Sequence, residues 1–192
     1  MHHVPVLYCR PDSVYKRIEG CDVWDRERNA LQWPGGCPLI AHPPCRTWGR
    51  LRHFAKAPPD EASLALWAVA QIQRWGGILE HPAASRLWSA ASLPRPGTAD
   101  AYGWTLGIDQ YWFGHRAQKR TLLYIVGLSP ADMLPLPYQL GEPSPVVQSM
   151  KRVGSRPHIS KREREATPLR FARWLVGNVQ RIAPSRVTMG RQ

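Results

Sequence analysis

The chain has 192 residues, of which 43% are hydrophobic, so it can bury the core of one domain and is short for two. Its 26 lysines and arginines outnumber its 14 acidic residues and give a net charge of +12. This excess favours a polyanionic partner, nucleic acid before phosphorylated small molecules, with an inert basic surface as the alternative. The four cysteines form no CxxC pair, which argues against a disulfide framework and against structural zinc.

No stretch approaches the roughly 18 consecutive apolar residues that a membrane span needs, and no N-terminal segment resembles a signal peptide. We therefore expect a cytoplasmic protein with reduced thiols and no membrane partner. The sequence does not indicate protein partners. We assign residues 1–182 to a single compact domain and residues 183–192 to a basic C-terminal tail.

Strands and short helices alternate through the first half of the chain. The sequence predicts strands over residues 4–9, 21–24 and 38–41, and short helices over residues 13–18 and 26–31. A longer helix is predicted over residues 60–75, where apolar residues recur at helical spacing and Gly76-Gly77 follow. The next strand covers residues 78–80, and His81-Pro82 are expected to stop it.

The second half is less regular. It predicts a helical turn over residues 85–91, a loop over 93–107, strands over 108–113 and 121–126, an irregular connection over 129–156, and a last helix that Thr167 caps, with Pro168 as its first residue. Strands that alternate with helices predict an α/β fold. We expect a Rossmann-like, mostly parallel sheet with helices on both faces.

Cys45 ends the most informative stretch of the chain. A short apolar strand runs into Pro43 and Pro44, which end sheet pairing and force an extended exit directly before the thiol. In an open α/β sheet, the carboxyl ends of the strands are where ligands bind. Arg46 follows directly, and a nearby cation favours the reactive thiolate, although a buried structural cysteine is the alternative.

Two further signals follow Cys45 in order. Glu80 lies at the predicted end of a strand, where a buried carboxylate needs a partner, and a salt bridge at the rim of the sheet is the alternative. The segment 114–121, Gly-His-Arg-Ala-Gln-Lys-Arg-Thr, precedes the last strand and supplies Arg116, Lys119 and Arg120. A thiol, a carboxylate and a guanidinium are thus expected near one edge of the sheet.

Together these motifs resemble the catalytic set of the DNA cytosine-5 methyltransferases, which carry a Pro-Cys, a Glu-Asn-Val or Glu-Asn-Pro and a Gln-x-Arg motif in this order. The matching segments are Pro44-Cys45, Glu80-His81-Pro82 and Gln118-Lys119-Arg120. The longer segments around them look like small phage and prophage proteins related to that fold. The resemblance covers roughly residues 38–126.

The resemblance implies a mechanism in which Cys45 adds to C6 of an unstacked pyrimidine, Glu80 holds and protonates N3, and Arg120 or Arg116 holds the base carbonyl or a phosphate. It implies S-adenosylmethionine as cofactor and DNA as partner. The cofactor would lie against the residues Tyr8, Trp24, Asp25 and Pro43. The substrate would contact the residues Pro44, Arg46, Trp48, His81, Gln118 and Lys119.

The chain departs from the family pattern in three places. The turn after the first strand, residues 8–13, contains no glycine, which leaves S-adenosylmethionine doubtful and the donor open, and Asp25 has a helix cap as its alternative role. Only residues 129–156 could replace the family's large target-recognition region. His81 stands in place of Asn, and a zinc site of Cys45 with His42, His81 and His115 is a minor alternative to the absence of metal.

Three hypotheses for function follow. The first is a DNA pyrimidine C5-modifying protein with a cysteine nucleophile, active in phage base modification or in evading host restriction. The second is a non-catalytic DNA-binding relic of the methyltransferase fold, for which the missing glycines and the short chain argue. The third is an enzyme that modifies a pyrimidine nucleotide with another donor and holds its phosphate with Arg116 or Arg120.

Overall fold

The structure, a computed structural model, describes residues 3–50, 52–145, 147 and 157–183. Six strands and four α-helices are present among them. In chain order they are β1 (Val4–Leu7), β2 (Cys21–Trp24), β3 (Leu39–Ala41), α1 (Glu61–Trp75), β4 (Gly77–Pro82), α2 (Leu87–Ala90), β5 (Gly103–Asp109), β6 (Arg120–Val126), α3 (Lys161–Glu165) and α4 (Leu169–Val179). The proposed tail lies outside the described residues, apart from Ala183.

All six strands form one sheet in the order β2-β1-β3-β4-β6-β5. The neighbours from β2 to β4 are parallel, whereas β6 runs antiparallel to both β4 and β5. The chain therefore has the expected α/β architecture with a mostly parallel sheet. The strand order changes direction between β1 and β3, and the crevice at such a switch point is where open α/β sheets bind ligands.

Helices cover the sheet on both sides, and each side has its own apolar cluster. On one side, α1 packs Ala68 and Ile72 against Leu39 and Leu79. On the other, α4 brings apolar residues such as Phe171 and Leu175 onto Ile40, Ile78 and Leu123. Successive residues of a strand alternate between these two sides, so each strand residue near the edge can be assigned to the α1 side or the α4 side.

The structure corrects several expectations about element boundaries. β4 continues through His81 and ends at Pro82, since the ladder with β3 has already ended at Leu79 and Pro82 removes no hydrogen bond there. A 3₁₀ turn over Ala30–Gln32 replaces the helix predicted over residues 26–31.

The C-terminal elements also differ from the prediction. The residue that precedes α4 as its cap is Pro168, and Thr167 does not cap it. The short helix α3 was not expected. Its Ser160 and Glu163 form a capping box, in which each side chain bonds the backbone N–H of the other residue.

Candidate active site

The loop after β3 brings Cys45 to the carboxyl edge of the sheet, beside the switch point. Pro43 is buried and Pro44 is half-buried, whereas Cys45 is exposed to solvent. The loop turns immediately afterwards, because the Cys45 carbonyl accepts hydrogen bonds from Trp48 N and Gly49 N. The thiol is thus held at the rim where a ligand of the sheet would lie.

Glu80 lies near the end of β4 and is held from two sides. Its Oε2 is 3.0 Å from His42 Nδ1, and its Oε1 accepts a hydrogen bond of 3.0 Å from Gln110 Nε2. Because an ionised carboxylate can only accept, His42 donates through Nδ1. The other ring nitrogen of His42, Nε2, lies 2.9 Å from the hydroxyl of the fully buried Tyr15. The result is a continuous chain from Tyr15 through His42 to Glu80.

The charge of Glu80 is set by these neighbours. Burial alone would raise the pKa of the carboxyl, but the hydrogen bond from His42 and the positive charges nearby lower it to about 2. Lys119 is one of those charges. Glu80 is therefore a stable anion at neutral pH and offers hydrogen-bond acceptors to a ligand at the edge.

Gln110 contributes a further acceptor that the sequence did not reveal. Its Nε2 donates to both Glu80 and Thr121 Oγ1, which fixes the orientation of the amide. Its Oε1 is buried and has no hydrogen-bond partner among the described residues. Gln110 had been predicted within a strand over residues 108–113, but it begins a 3₁₀ turn that the side chain of Asp109 caps.

The electrostatics of Cys45 differ from the expectation. Partial desolvation and then the charge of Glu80 raise the pKa of the thiol, and Lys119 opposes them. Arg46, which was expected to favour the thiolate, is instead paired with the buried carboxylate of Glu61 at the start of α1, with Nε 2.6 Å from Oε1. Lys119 is thus the main cation that lowers the pKa of Cys45, while the charge of Arg46 is largely engaged by Glu61.

Lys119, Arg116 and Arg120 were predicted to lie together, but their side chains have different surroundings. Burial lowers the pKa of Lys119, and the negative charge of Glu80 opposes that effect. The Nζ of Lys119 donates a hydrogen bond of 3.1 Å to the Ala166 carbonyl. Arg116 forms an ion pair with Glu163. Arg120 begins β6, where alternation places it on the α1 side, away from Glu80. Gln118 is exposed.

His81 and Trp48 lie on the side of the sheet opposite to Glu80. His81 follows Glu80 directly in β4 and is fully buried, and burial lowers its pKa to about 4 against the effect of Glu80. Trp48 packs against the apolar cluster on the α1 side. The sheet therefore divides the residues that the resemblance assigned to substrate binding, and only Lys119 is electrostatically coupled to both Cys45 and Glu80.

The residues expected to hold a cofactor are already engaged within the chain. Tyr8, directly after β1, has a φ of 63°, a left-handed conformation that glycine adopts without strain. Its hydroxyl donates to the Leu64 carbonyl at 3.1 Å, which ties its ring to α1. Pro43 is buried after β3.

Trp24 and Asp25 are similarly occupied. The Trp24 ring carries the guanidinium of Arg28 at 4.0 Å from its centroid, and its Nε1 donates to Asp22. Asp25 accepts from Lys16 Nζ at 2.7 Å and from two backbone N–H groups of the following turn. Asp25 thus caps a turn, and the helix that it was expected to cap does not form. In this structure Arg28 therefore lies over the ring of Trp24, and both oxygens of Asp25 already accept hydrogen bonds from the chain itself.

Within the described ranges, no three His, Cys, Asp or Glu side chains come together as metal ligands. None of the helices described is long and apolar enough to cross a bilayer. Comparisons with family models, with curated proteins and with solved structures gave no match to this chain.

Proposed function

We propose that this chain is a DNA pyrimidine-modifying protein with a Rossmann-like, methyltransferase-like fold, in which Cys45 adds to C6 of an unstacked base. The observation that carries the proposal is the exposed Cys45 thiol at the switch point, electrostatically coupled to an ionised Glu80 that His42 and Gln110 hold in place. The four described cysteines are all free, in keeping with the reducing, cytoplasmic setting that we propose.

The covalent step needs no donor. The Cys45 thiol loses its proton to solvent, and the thiolate sulfur forms a bond to C6 while the C5–C6 π electron pair moves to C5. Water then protonates C5. The reverse elimination removes either proton from C5, breaks the S–C6 bond and restores the aromatic base. The net result without a donor is exchange of the C5 hydrogen with solvent, and with an electrophile it is substitution at C5.

Glu80 binds and orients the base in this proposal, and Gln110 positions Glu80. The ionised carboxylate of Glu80 accepts a hydrogen bond from the amino or imino edge of the pyrimidine. Gln110 is buried and acts from behind, because its Nε2 donates to Glu80 Oε1 and fixes the orientation of that carboxylate. His42 compensates the negative charge of Glu80 through Nδ1, and Lys119 stabilises the thiolate of Cys45.

A covalent trap tests the proposal without knowledge of the donor. A single-stranded oligonucleotide with one 2-pyrimidinone base, which is electrophilic at C6, is incubated with the protein and analysed by denaturing gel and intact mass. We expect an adduct equal in mass to protein plus oligonucleotide for the wild type and for Cys37→Ala, a matched control at a half-buried thiol. We expect none for Cys45→Ala.

A second readout follows C5 exchange. Oligonucleotide cytosine incubated with the protein in D₂O should gain one mass unit at C5, and Glu80→Gln should slow this gain by about 10²-fold or more, in line with the loss of an oriented catalytic group. Absence of both adduct and exchange in the wild type, or an adduct that persists in Cys45→Ala, contradicts the proposal.

The engaged state of Trp24 and Asp25 favours one other candidate, a DNA-binding protein that has kept the fold without the reaction. It predicts that DNA binds equally well to the wild type and to Cys45→Ala, and that neither adduct nor exchange forms. The same two experiments therefore separate it from the first proposal.

A further inference from the structure

Arginines on the α4 side of the carboxyl edge form ion pairs with nearby acids. Arg10 contacts both Asp12 and Glu165, each at 2.9 Å, and Arg116 pairs with Glu163. The acids come from the loop after β1 and from α3, so two distant parts of the chain are used to balance these charges. Asp12 and Glu165 are also shared with Arg162 and Lys161, so the cations on this side lie within a network of ion pairs.

The α1 side of the same edge is different. Residues 43–59, between β3 and α1, and residues 81–92, after Glu80, contain no Asp or Glu. Arg46 in this region forms an ion pair with Glu61. Four other cations make no ion pair and no side-chain hydrogen bond within the part of the chain described, and we call them the basic surface: Arg50, Arg52, Lys56 and Arg86.

Backbone contacts show that these four residues belong to adjoining segments. Arg86 N donates to the Trp48 carbonyl at 3.0 Å, which joins the turn after β4 to the loop that begins at Cys45. The carbonyl of Arg120 accepts from Ala83 N at 3.0 Å, which sets a further arginine beside the same turn. The basic surface therefore starts a few residues from the thiol of Cys45.

We propose that the basic surface holds the phosphate backbone of a single nucleic-acid strand, whose target base reaches over the edge to Cys45. The inference rests on the proposed function for the identity of the polymer. Phe54, in the middle of the loop, is 77% exposed and offers a ring on which a neighbouring base stacks. A stacked base and an extruded one both require an unpaired strand, so a single strand fits this surface better than a duplex.

The loop between β3 and α1 contains buried polar atoms that make no hydrogen bond in the described residues. Thr47 Oγ1 and Trp48 Nε1 are buried without a hydrogen-bond partner in the described residues. Buried polar groups in this condition cost free energy. Among the described residues of 46–57, the backbone hydrogen bonds are mostly internal to the loop, and Arg86 N donates to it from outside. A small shift of the loop toward a phosphate would thus gain hydrogen bonds and lose few.

The salt dependence of binding tests the inference. The affinity of a fluorescein-labelled 20-nucleotide single strand is measured by anisotropy at several NaCl concentrations for the wild type and for the variant R50Q/R52Q/K56Q/R86Q. Each lost phosphate contact lowers the slope of log K against log[salt] by about 0.7 for a single strand. We expect the slope to fall by nearly 3 in this variant, and Phe54→Ala to weaken binding by about tenfold at constant slope.

The matched control removes four other exposed cations that are unpaired in the described residues, in R17Q/R26Q/R170Q/R173Q. It carries the same change of net charge, and we expect its slope to stay within about 1 of the wild type. An unchanged slope in the basic-surface variant overturns the inference. So does an equal fall of the slope in both variants, which would mean diffuse attraction to the whole surface.

Failure of this inference can be told apart from failure of the proposed function. The free 2-pyrimidinone nucleoside carries no phosphate, so its adduct with Cys45 should form in the basic-surface variant as in the wild type. Cys45→Ala should form no adduct but keep the full salt slope. If the salt slopes are as expected but the wild type forms no adduct, the basic surface is still a strand-binding site and only the catalytic proposal fails.

Discussion

Glu80 stays ionised in a place where burial alone would favour the neutral acid. His42 and Lys119 outweigh that penalty, and the pKa of Glu80 falls to about 2. The resemblance implied that Glu80 protonates N3 of the base. With so low a pKa, Glu80 is proposed instead to accept a hydrogen bond from the base, and a proton for N3 would have to come through His42, which Tyr15 contacts from behind.

This pairing makes the stability of the protein depend on pH in a defined window. The folded-state pKa of Glu80, about 2, lies below the ordinary glutamate value of 4.5, so the unfolded chain binds the proton more readily between these values. The stabilisation is complete above about pH 5 and is lost as the pH falls through 4.5 toward 2. Its size is on the order of 3 kcal/mol.

We predict that Glu80→Gln removes most of that dependence. Urea unfolding at pH 6 and at pH 2.5 gives the difference in the free energy of unfolding for each protein, and other titrating groups cancel between them. The difference should be smaller in Glu80→Gln by roughly 2–3 kcal/mol. Equal pH dependence in the two proteins would show that Glu80 is not held as an ion.

At this scale the sequence identified only part of the site. It placed Cys45 and Glu80 near one edge, because both follow apolar strands, and the structure couples them electrostatically. Their roles stay predictions. His42, Gln110 and Tyr15 were missed as partners of Glu80, since they come from three separate segments and no spacing rule links them. His42 had one signal, its position two residues beyond Ile40 on the same side of β3.

Among the elements, β2 (Cys21–Trp24) was predicted with the right ends, and α1 within one residue. β5 (Gly103–Asp109) was missed because Gly103 and Gly107 look like strand breakers. The strand predicted over residues 108–113 was wrong for its aromatic half. Tyr111 to Phe113 have high β-propensity, but the Asp109 side chain caps a 3₁₀ turn there.

Gly77 shows why a glycine can be required inside this sheet. It begins β4 with a φ of 128°, and a Cβ built on it would overlap the backbone of Leu39 in the neighbouring strand. We predict that Gly77→Ala lowers the free energy of unfolding by about 3 kcal/mol or more, because backbone atoms of β3 cannot move aside cheaply. Chemical unfolding followed by circular dichroism measures the loss.

Gly97→Ala is the control for that substitution. Gly97 also has a positive φ, 81°, but nothing lies within 4 Å of a Cβ built there. Its cost should be about 1 kcal/mol, which reflects backbone strain alone. Equal losses at the two positions would mean that the close approach of β3 and β4 is not what makes Gly77 necessary.

Considered as a whole, the molecule is held together across its single sheet. Residues from α1 form one apolar layer and residues from α4, far along the chain, form the other. The sequence predicted both layers because both helices have apolar residues at helical spacing. It could not predict that β6 lies between β4 and β5 and runs antiparallel to both. The residues before β5 have no regular pattern that would indicate a reversal of chain direction.

One sheet shared by two layers should unfold as a unit, and Leu175→Ala tests this. Leu175 is fully buried in the layer beneath α4, so its truncation should cost about 2–5 kcal/mol. Leu169→Ala, on the same helix but 38% exposed, should cost less than about 1 kcal/mol.

Tryptophans lie on both sides of the sheet, Trp174 with α4 and Trp88 with α1, so fluorescence reports on both layers. In guanidinium unfolding, the midpoints from fluorescence and from far-ultraviolet circular dichroism should fall together in Leu175→Ala. A separate early transition by either probe would show that the α4 layer melts alone and that the two sides of the sheet are independent.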